Sequence, residues 1–192
     1  MKRLAVFGTH GAAKTTLVYK LAAYYKMKDK NVTVIHETAR LSPFPINLKA
    51  VYQTTLFIVS AQLQKELMAE AQGFEIAISD RTLSDAFIYI NYLKRGNEFT
   101  KSLEEFCLQW IKKYDLLVYV EPIEASIISS DGIRETDKNF QLAIRNEFRI
   151  FVKKIEELFR GKIHIIKAES NQVFDDKQCL KLLENINRSL YE

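Results

Sequence analysis

No apolar stretch of this chain approaches the roughly 20 residues that a membrane-spanning helix needs. Lys2 and Arg3 look like the charged start of a signal peptide, but the apolar run behind them stops at Gly8. A cytoplasmic location without membrane association is expected. Cysteine is almost absent: Cys107 and Cys179 are too few for a disulfide framework or a thiolate metal site. Cys107 lies among Phe106, Leu108 and Trp110 and is expected in the core. With 3 prolines and 6 glycines there is no linker, and no repeat or low-complexity segment appears. A basic tract is also missing. The net charge of +4 comes from lysines and arginines interleaved with acids, so a nucleic-acid partner is not expected. Homodimerisation is left open.

What the chain does have is alternation. Apolar runs at 4–7, 32–36, 76–79, 116–120 and 163–166 are separated by helix-like stretches near 15–28, 47–72, 83–95, 99–113, 138–160 and 175–190. Runs without polar alternation suit a parallel sheet buried on both faces. The pattern predicts a three-layer α/β fold around a five-stranded parallel sheet, with right-handed crossovers. Its 192 residues suit one domain over 1–192, with a lid near 122–140.

The first strand and helix enclose the strongest motif, GTHGAAKTT at 8–16. An apolar strand, a small-residue loop, then lysine and threonine opening a helix is the layout of a phosphate-binding P-loop. Gly8, Thr9, His10, Gly11, Ala12, Ala13, Lys14, Thr15 and Thr16 would cradle a triphosphate such as ATP, largely through backbone N–H groups. Lys14 would reach the outer phosphates, and the Thr15 hydroxyl would ligate Mg²⁺. One position departs from G-x-x-x-x-G-K-[ST]: Ala13 stands where glycine is usual, and alanine resists some of the angles glycine accepts. His10 is expected to contribute backbone rather than imidazole.

In parallel sheets ligands gather beyond the carboxyl ends of the strands. Three polar clusters fall there: His36, Glu37, Thr38 and Arg40; then Ser79, Asp80, Arg81 and Thr82 with Asp85; and Glu121 with Pro122. All three are expected to face the loop that holds Lys14. Asp80 is a candidate to hold Mg²⁺ beside Thr15; its alternative is a helix N-cap, shared with Thr82. Glu37 is a candidate base or hydrogen-bond partner for an acceptor hydroxyl; its alternative is a solvated loop carboxylate. Arg40 and Arg81 could clamp phosphate or form surface ion pairs. His36 is expected to pack beside its strand. A Gly-bearing loop at 130–137 places Arg134 either on a lid that neutralises charge during transfer or on a plain turn, with Arg145 and Arg149 as possible assistants.

With these residues in hand, the chain resembles a P-loop kinase of the nucleoside and nucleotide kinase type. It is most similar to the AAA-like ATPase/kinase family that includes the kinase domain of bacterial nicotinamide-riboside kinases. The matching pieces are GTHGAAKTT at 8–16, ETAR at 37–40, Gln62 with Glu66, Asp80–Arg81–Thr82 with Asp85, and DGIR at 131–134. The resemblance implies a parallel sheet, ATP with Mg²⁺, a lid, and phosphoryl transfer to a small acceptor. Thymidylate kinases look similar at 80–82, where that family's arginine meets substrate phosphate.

A nucleoside acceptor calls for a carboxylate to hold its hydroxyl, and a nucleotide acceptor calls for arginines. Glu37, Asp80, Arg40, Arg81 and Asp85 supply both, with a lean towards the nucleoside. A regulatory switch or ATPase without an acceptor is the competing reading. A GTPase lacks support because no N-K-x-D element is present. A polynucleotide end kinase would want a basic groove that the scattered charge does not supply.

Overall fold

Leu4 and Val6 project to one side of the first strand, and Ala5 and Phe7 to the other; all four are buried. This two-sided burial holds for the three central strands of the sheet. The computed structural model describes residues 1–123 and 137–192. Five strands, β1 (Lys2–Phe7), β2 (Val32–Ile35), β3 (Ile76–Asp80), β4 (Leu116–Glu121) and β5 (His164–Glu169), form one sheet in the order β2-β3-β1-β4-β5. Every pairing is parallel. The expected α/β three-layer architecture is therefore the observed one.

One face of the sheet carries α1 (Lys14–Lys26) and α7 (Asp176–Tyr191). Leu17, Leu21 and Tyr25 of α1 meet Leu4, Val6, Ile78 and Val118 there, together with Leu183 and Ile186 of α7. The other face carries α3 (Leu83–Lys94), α4 (Glu98–Ile111) and α5 (Lys138–Leu158), whose Phe87, Ile90, Cys107, Ile144 and Phe148 pack on Ala5, Phe7, Leu117 and Tyr119. The helix α2 (Tyr52–Ala71) covers the β2–β3 edge, where Ala69 meets Ile35 and Ala77. A short helix, α6 (Ser170–Phe174), links β5 to α7. No helix among the described residues is long and apolar enough to cross a membrane.

Element boundaries differ from the apolar pattern where side chains cap backbone groups. The segment Asn47–Lys49 is a 3₁₀ turn, and α2 starts only at Tyr52. The Thr54 hydroxyl explains the delay: it donates to the Pro45 carbonyl at 2.6 Å and accepts from the Val51 N–H at 3.2 Å. That satisfies a helix-start donor with a side chain, as caps do. The fifth strand runs on to Glu169, because its ladder with β4 continues to the Glu121–Glu169 pair. β2 ends at Ile35, so His36 lies beyond it; it is exposed, near the Tyr19 ring at 5.9 Å, instead of packing beside the strand.

The turn out of β1 is fixed by Gly8. Its φ is +139°, and a Cβ there would stand 2.3 Å from the Val120 carbonyl oxygen, a backbone atom that cannot swing aside. Only glycine fits at that approach. Replacing Gly8 by alanine should cost more than about 3 kcal/mol, beyond ordinary overpacking because strain and clash combine. Chemical denaturation of the Gly8→Ala protein checks this; a loss under about 1 kcal/mol would show that the β1–β4 contact is loose.

Candidate functional site

The β1 loop turns into α1 through three residues of positive φ: Gly8 at 139°, Gly11 at 77° and Ala13 at 60°. Ala13 is the N-cap of α1 and sits in the left-handed region, with φ 60° and ψ 20° and no side-chain cap. The conformation is the one the motif's glycine supplies, adopted here by alanine at a cost of about 1–2 kcal/mol. The loop shape thus survives the substitution. His10 through Thr16 line a cavity of about 320 Å³, while Thr9 is fully buried.

Lys14 bends back and donates its Nζ to the Thr9 carbonyl at 2.6 Å. Burial pulls its ammonium down to about 8, aided by the Arg81 guanidinium and opposed by Asp85, Asp80 and Glu37. The Thr15 hydroxyl donates to Asp80 Oδ2 at 2.6 Å. Asp80 is the last residue of β3, in register with Val6 of the neighbouring β1, so the two polar groups meet with no strand between them. It is not a helix cap. Asp80 is 3% exposed, and its second oxygen, Oδ1, has no hydrogen-bond partner. A buried orphan oxygen beside a threonine hydroxyl fits a hard divalent cation such as Mg²⁺. Among the described residues no group of three or more His, Cys, Asp or Glu is placed to hold a metal ion. Thr15 and Asp80 would therefore share the ion with phosphate oxygens and water, as is usual for Mg²⁺.

Across the cavity, Thr82 caps α3, and Asp85 closes the cap by accepting from the Thr82 N–H and hydroxyl, each at 2.9 Å. Arg81 precedes the cap with φ 88°, a strained angle for a non-glycine residue. Its N–H donates to the Val6 carbonyl at 2.9 Å. Its guanidinium donates Nε to Glu37 Oε1 at 2.6 Å and a terminal nitrogen to Asp85 Oδ1 at 3.3 Å. Burial works against the carboxylate of Glu37, but Arg81, Lys14 and Arg40 outweigh it and hold the group below its ordinary range. Burial dominates at Asp85 and raises it. Arg40 is more exposed, with its Nε 3.7 Å from Glu37 Oε2.

Of the residues singled out in the sequence, Lys14, Thr15, Glu37, Arg40, Arg81 and Asp85 converge on this one cavity. Asp80 stands just behind it, bonded to Thr15. One expectation is corrected. Glu121 does not line the cavity beside the loop that holds Lys14; its Oε1 accepts from Arg145 at 2.7 Å and Arg149 at 2.5 Å on α5. Arg81 takes the ion-pair alternative, in a part-buried form that bridges two carboxylates. The His10 imidazole is buried and pairs its Nδ1 with the Tyr89 hydroxyl at 2.8 Å. Arg134 and DGIR at 131–134 lie outside the described residues, as does most of the expected lid near 122–140. Sequence reading missed the apolar and hydroxyl wall formed by Ile46, Thr54, Thr55, Ile58, Ala86 and Tyr89. Part of it was findable: Thr55, Ile58 and Gln62 recur at helical spacing, and Tyr89 lies one turn beyond Asp85.

The family model of the AAA domain matches residues 3–164. The chain belongs to that family. The matched span runs from the start of β1 to the start of β5 and holds almost the whole cavity lining. No curated protein matches the chain. An AAA domain with a P-loop implies nucleotide binding and ATPase-like chemistry.

Two outcomes are expected of this AAA domain. Ala13→Gly removes the left-handed strain but loosens the unfolded chain, for a net gain of about 0.5–1 kcal/mol. Thermal unfolding should show Tm higher by about 2 °C, and a lower Tm would mean that the methyl group packs favourably. The second concerns Lys14, whose charged form alone holds phosphate. Above pH 8 the free protein loses that proton, so binding must take one up. Affinity for ADP without Mg²⁺ should fall about tenfold between pH 7 and 9; a flat profile would place the ammonium in solvent.

Proposed function

We propose that the protein is an ATP-dependent kinase that transfers a phosphoryl group to the hydroxyl of a small nucleoside-like acceptor. The observation that carries this is the extent of the cavity. Its lining extends beyond the P-loop to Thr38, Ile46, Thr54, Thr55, Ile58 and Tyr89, which would form the acceptor chamber. A switch or simple ATPase needs room for one water molecule beyond the last phosphate, whereas this lining adds apolar and hydroxyl groups suited to a small organic acceptor.

The residues divide the work. The loop amides from His10 to Thr16 and the start of α1 would hold the phosphates. Lys14 would swing from the Thr9 carbonyl to the outer phosphates, and Thr15 with Asp80 would hold Mg²⁺, which supplies charge neutralisation when bound. Glu37 lines the same cavity as Lys14, within electrostatic reach of it. Held ionised by Arg81, it accepts a hydrogen bond from the acceptor hydroxyl and aims it in line. A weak base suffices, because phosphoryl transfer depends mainly on positioning and electrostatics. Arg81, already bridging Glu37 and Asp85, fixes that carboxylate. These pairs leave little free positive charge for an acceptor phosphate, which favours a nucleoside over a nucleotide.

ADP release from Mg-ATP should depend on one member of a panel of nucleosides and nucleoside monophosphates. Lys14→Ala should abolish it, and Glu37→Gln should lower kcat about 100-fold or more with the KM for ATP little changed. ATP binding without acceptor-dependent release would overturn the kinase reading in favour of a regulatory switch.

A further inference from the structure

Behind the acceptor chamber lies a buried polar chain whose hydrogen-bond directions are all forced. The Trp110 Nε1–H, which can only donate, meets Glu66 Oε2 at 2.8 Å. The Tyr114 hydroxyl donates to Glu66 Oε1 at 2.6 Å. The same oxygen accepts one amide hydrogen of Gln62 at 3.0 Å, and the Arg81 carbonyl accepts the other at 3.4 Å. Glu66 and Gln62 are each 2% exposed. Both partners of the Gln62 NH₂ are pure acceptors, so an inverted amide would set oxygen against oxygen in a dry interior. Oε1 of Gln62 accepts from the Thr38 hydroxyl at 3.3 Å and keeps a second lone pair. Gln62 and Thr38 both line the cavity.

We infer that Gln62 is locked to show only its carbonyl oxygen to the cavity, and that the acceptor therefore carries a hydrogen-bond donor, an amine or amide N–H, on the edge that meets it. This rests on reading the chamber as the acceptor site. Glu66 is the positioning residue, acting through Gln62. The chain also ends on the peptide of Arg81, so one buried carboxylate sets the ligand-reading amide and braces the strained backbone beside Glu37.

An isosteric change at Glu66 reverses the chain. In Glu66→Gln the Trp110 N–H claims the new carbonyl oxygen, which turns the new NH₂ towards Gln62 and Tyr114. The Tyr114 hydroxyl can accept; Gln62 must turn its own carbonyl inward, giving up the long contact to Arg81, and show NH₂ to the cavity.

Binding by calorimetry, without ATP, tests this with pairs differing by one N–H donor group. The pairs are adenosine and purine riboside, cytidine and pyrimidin-2-one riboside, and pyridine-3-carboxamide riboside and its 3-acetyl analogue. In the best-binding pair the wild type should prefer the donor-bearing member about tenfold or more. Glu66→Gln should lower that ratio at least as much, and Gln62→Met, which reads nothing, should bring it to about one. Gln62→Met keeps the Glu66 partners Trp110 and Tyr114, so it gives a reading even if Glu66→Gln fails to fold. A ratio unmoved by the folded variants, or no binding by any pair, overturns the inference. Selective binding without phosphorylation supports it while removing the kinase reading.

Discussion

The site depends on β1 lying directly against β3. In that order the loop after β1 and the carboxylate ending β3 leave the sheet side by side, and Thr15 reaches Asp80 without an intervening strand. The same adjacency lets the Arg81 N–H reach back to the Val6 carbonyl, which holds the backbone after β3 at its unusual φ. From there Arg81 points to Glu37, at the end of β2, and to Asp85, in α3. The order of the three strands thus brings cation, carboxylates and loop to one place.

Within that place the charges are paired by neighbours rather than by solvent. Lys14 and Arg81 oppose Glu37, Asp80 and Asp85 in a largely buried cluster. Removing one partner from such a cluster leaves another buried and uncompensated. The cluster is accordingly both a structural and a chemical unit, and substitutions in it will mix stability with activity unless they keep shape and charge. The carboxylates also keep Lys14 from falling as far as burial and Arg81 would drive it, so the ammonium stays charged at neutral pH.

Much of this was legible in the sequence for specific reasons. β1, β3 and β4, buried on both faces, leave unbroken apolar runs, the partly exposed edge strands β2 and β5 keep shorter ones, and the polar residues at the ends of three strands marked the sheet's carboxyl edge. Lys14, Thr15, Asp80, Glu37 and Arg81 were found by position along the chain. What could not be read was partnership. Nothing local says that Glu121 turns to Arg145 and Arg149, or that Arg81 bridges two acids; those pairings come from helices packed on the sheet. The chamber wall stayed hidden for a similar reason, because Thr54, Thr55 and Ile58 look like any helix face until α2 is laid against the site.

The sheet also divides the interior into two apolar bodies, one with α1 and α7 and one with α3, α4 and α5. The apolar side chains of the two bodies fall in separate clusters, so apolar changes on one side should add to, rather than couple with, apolar changes on the other. The helix bearing Lys14 and Thr15 is anchored in the first body, whereas Asp85, Ala86 and Tyr89 sit on α3 in the second. Selection can therefore reshape the chamber that chooses a partner while the phosphate grip remains fixed, a separation that lets one scaffold diversify its chemistry without relearning how to hold a nucleotide.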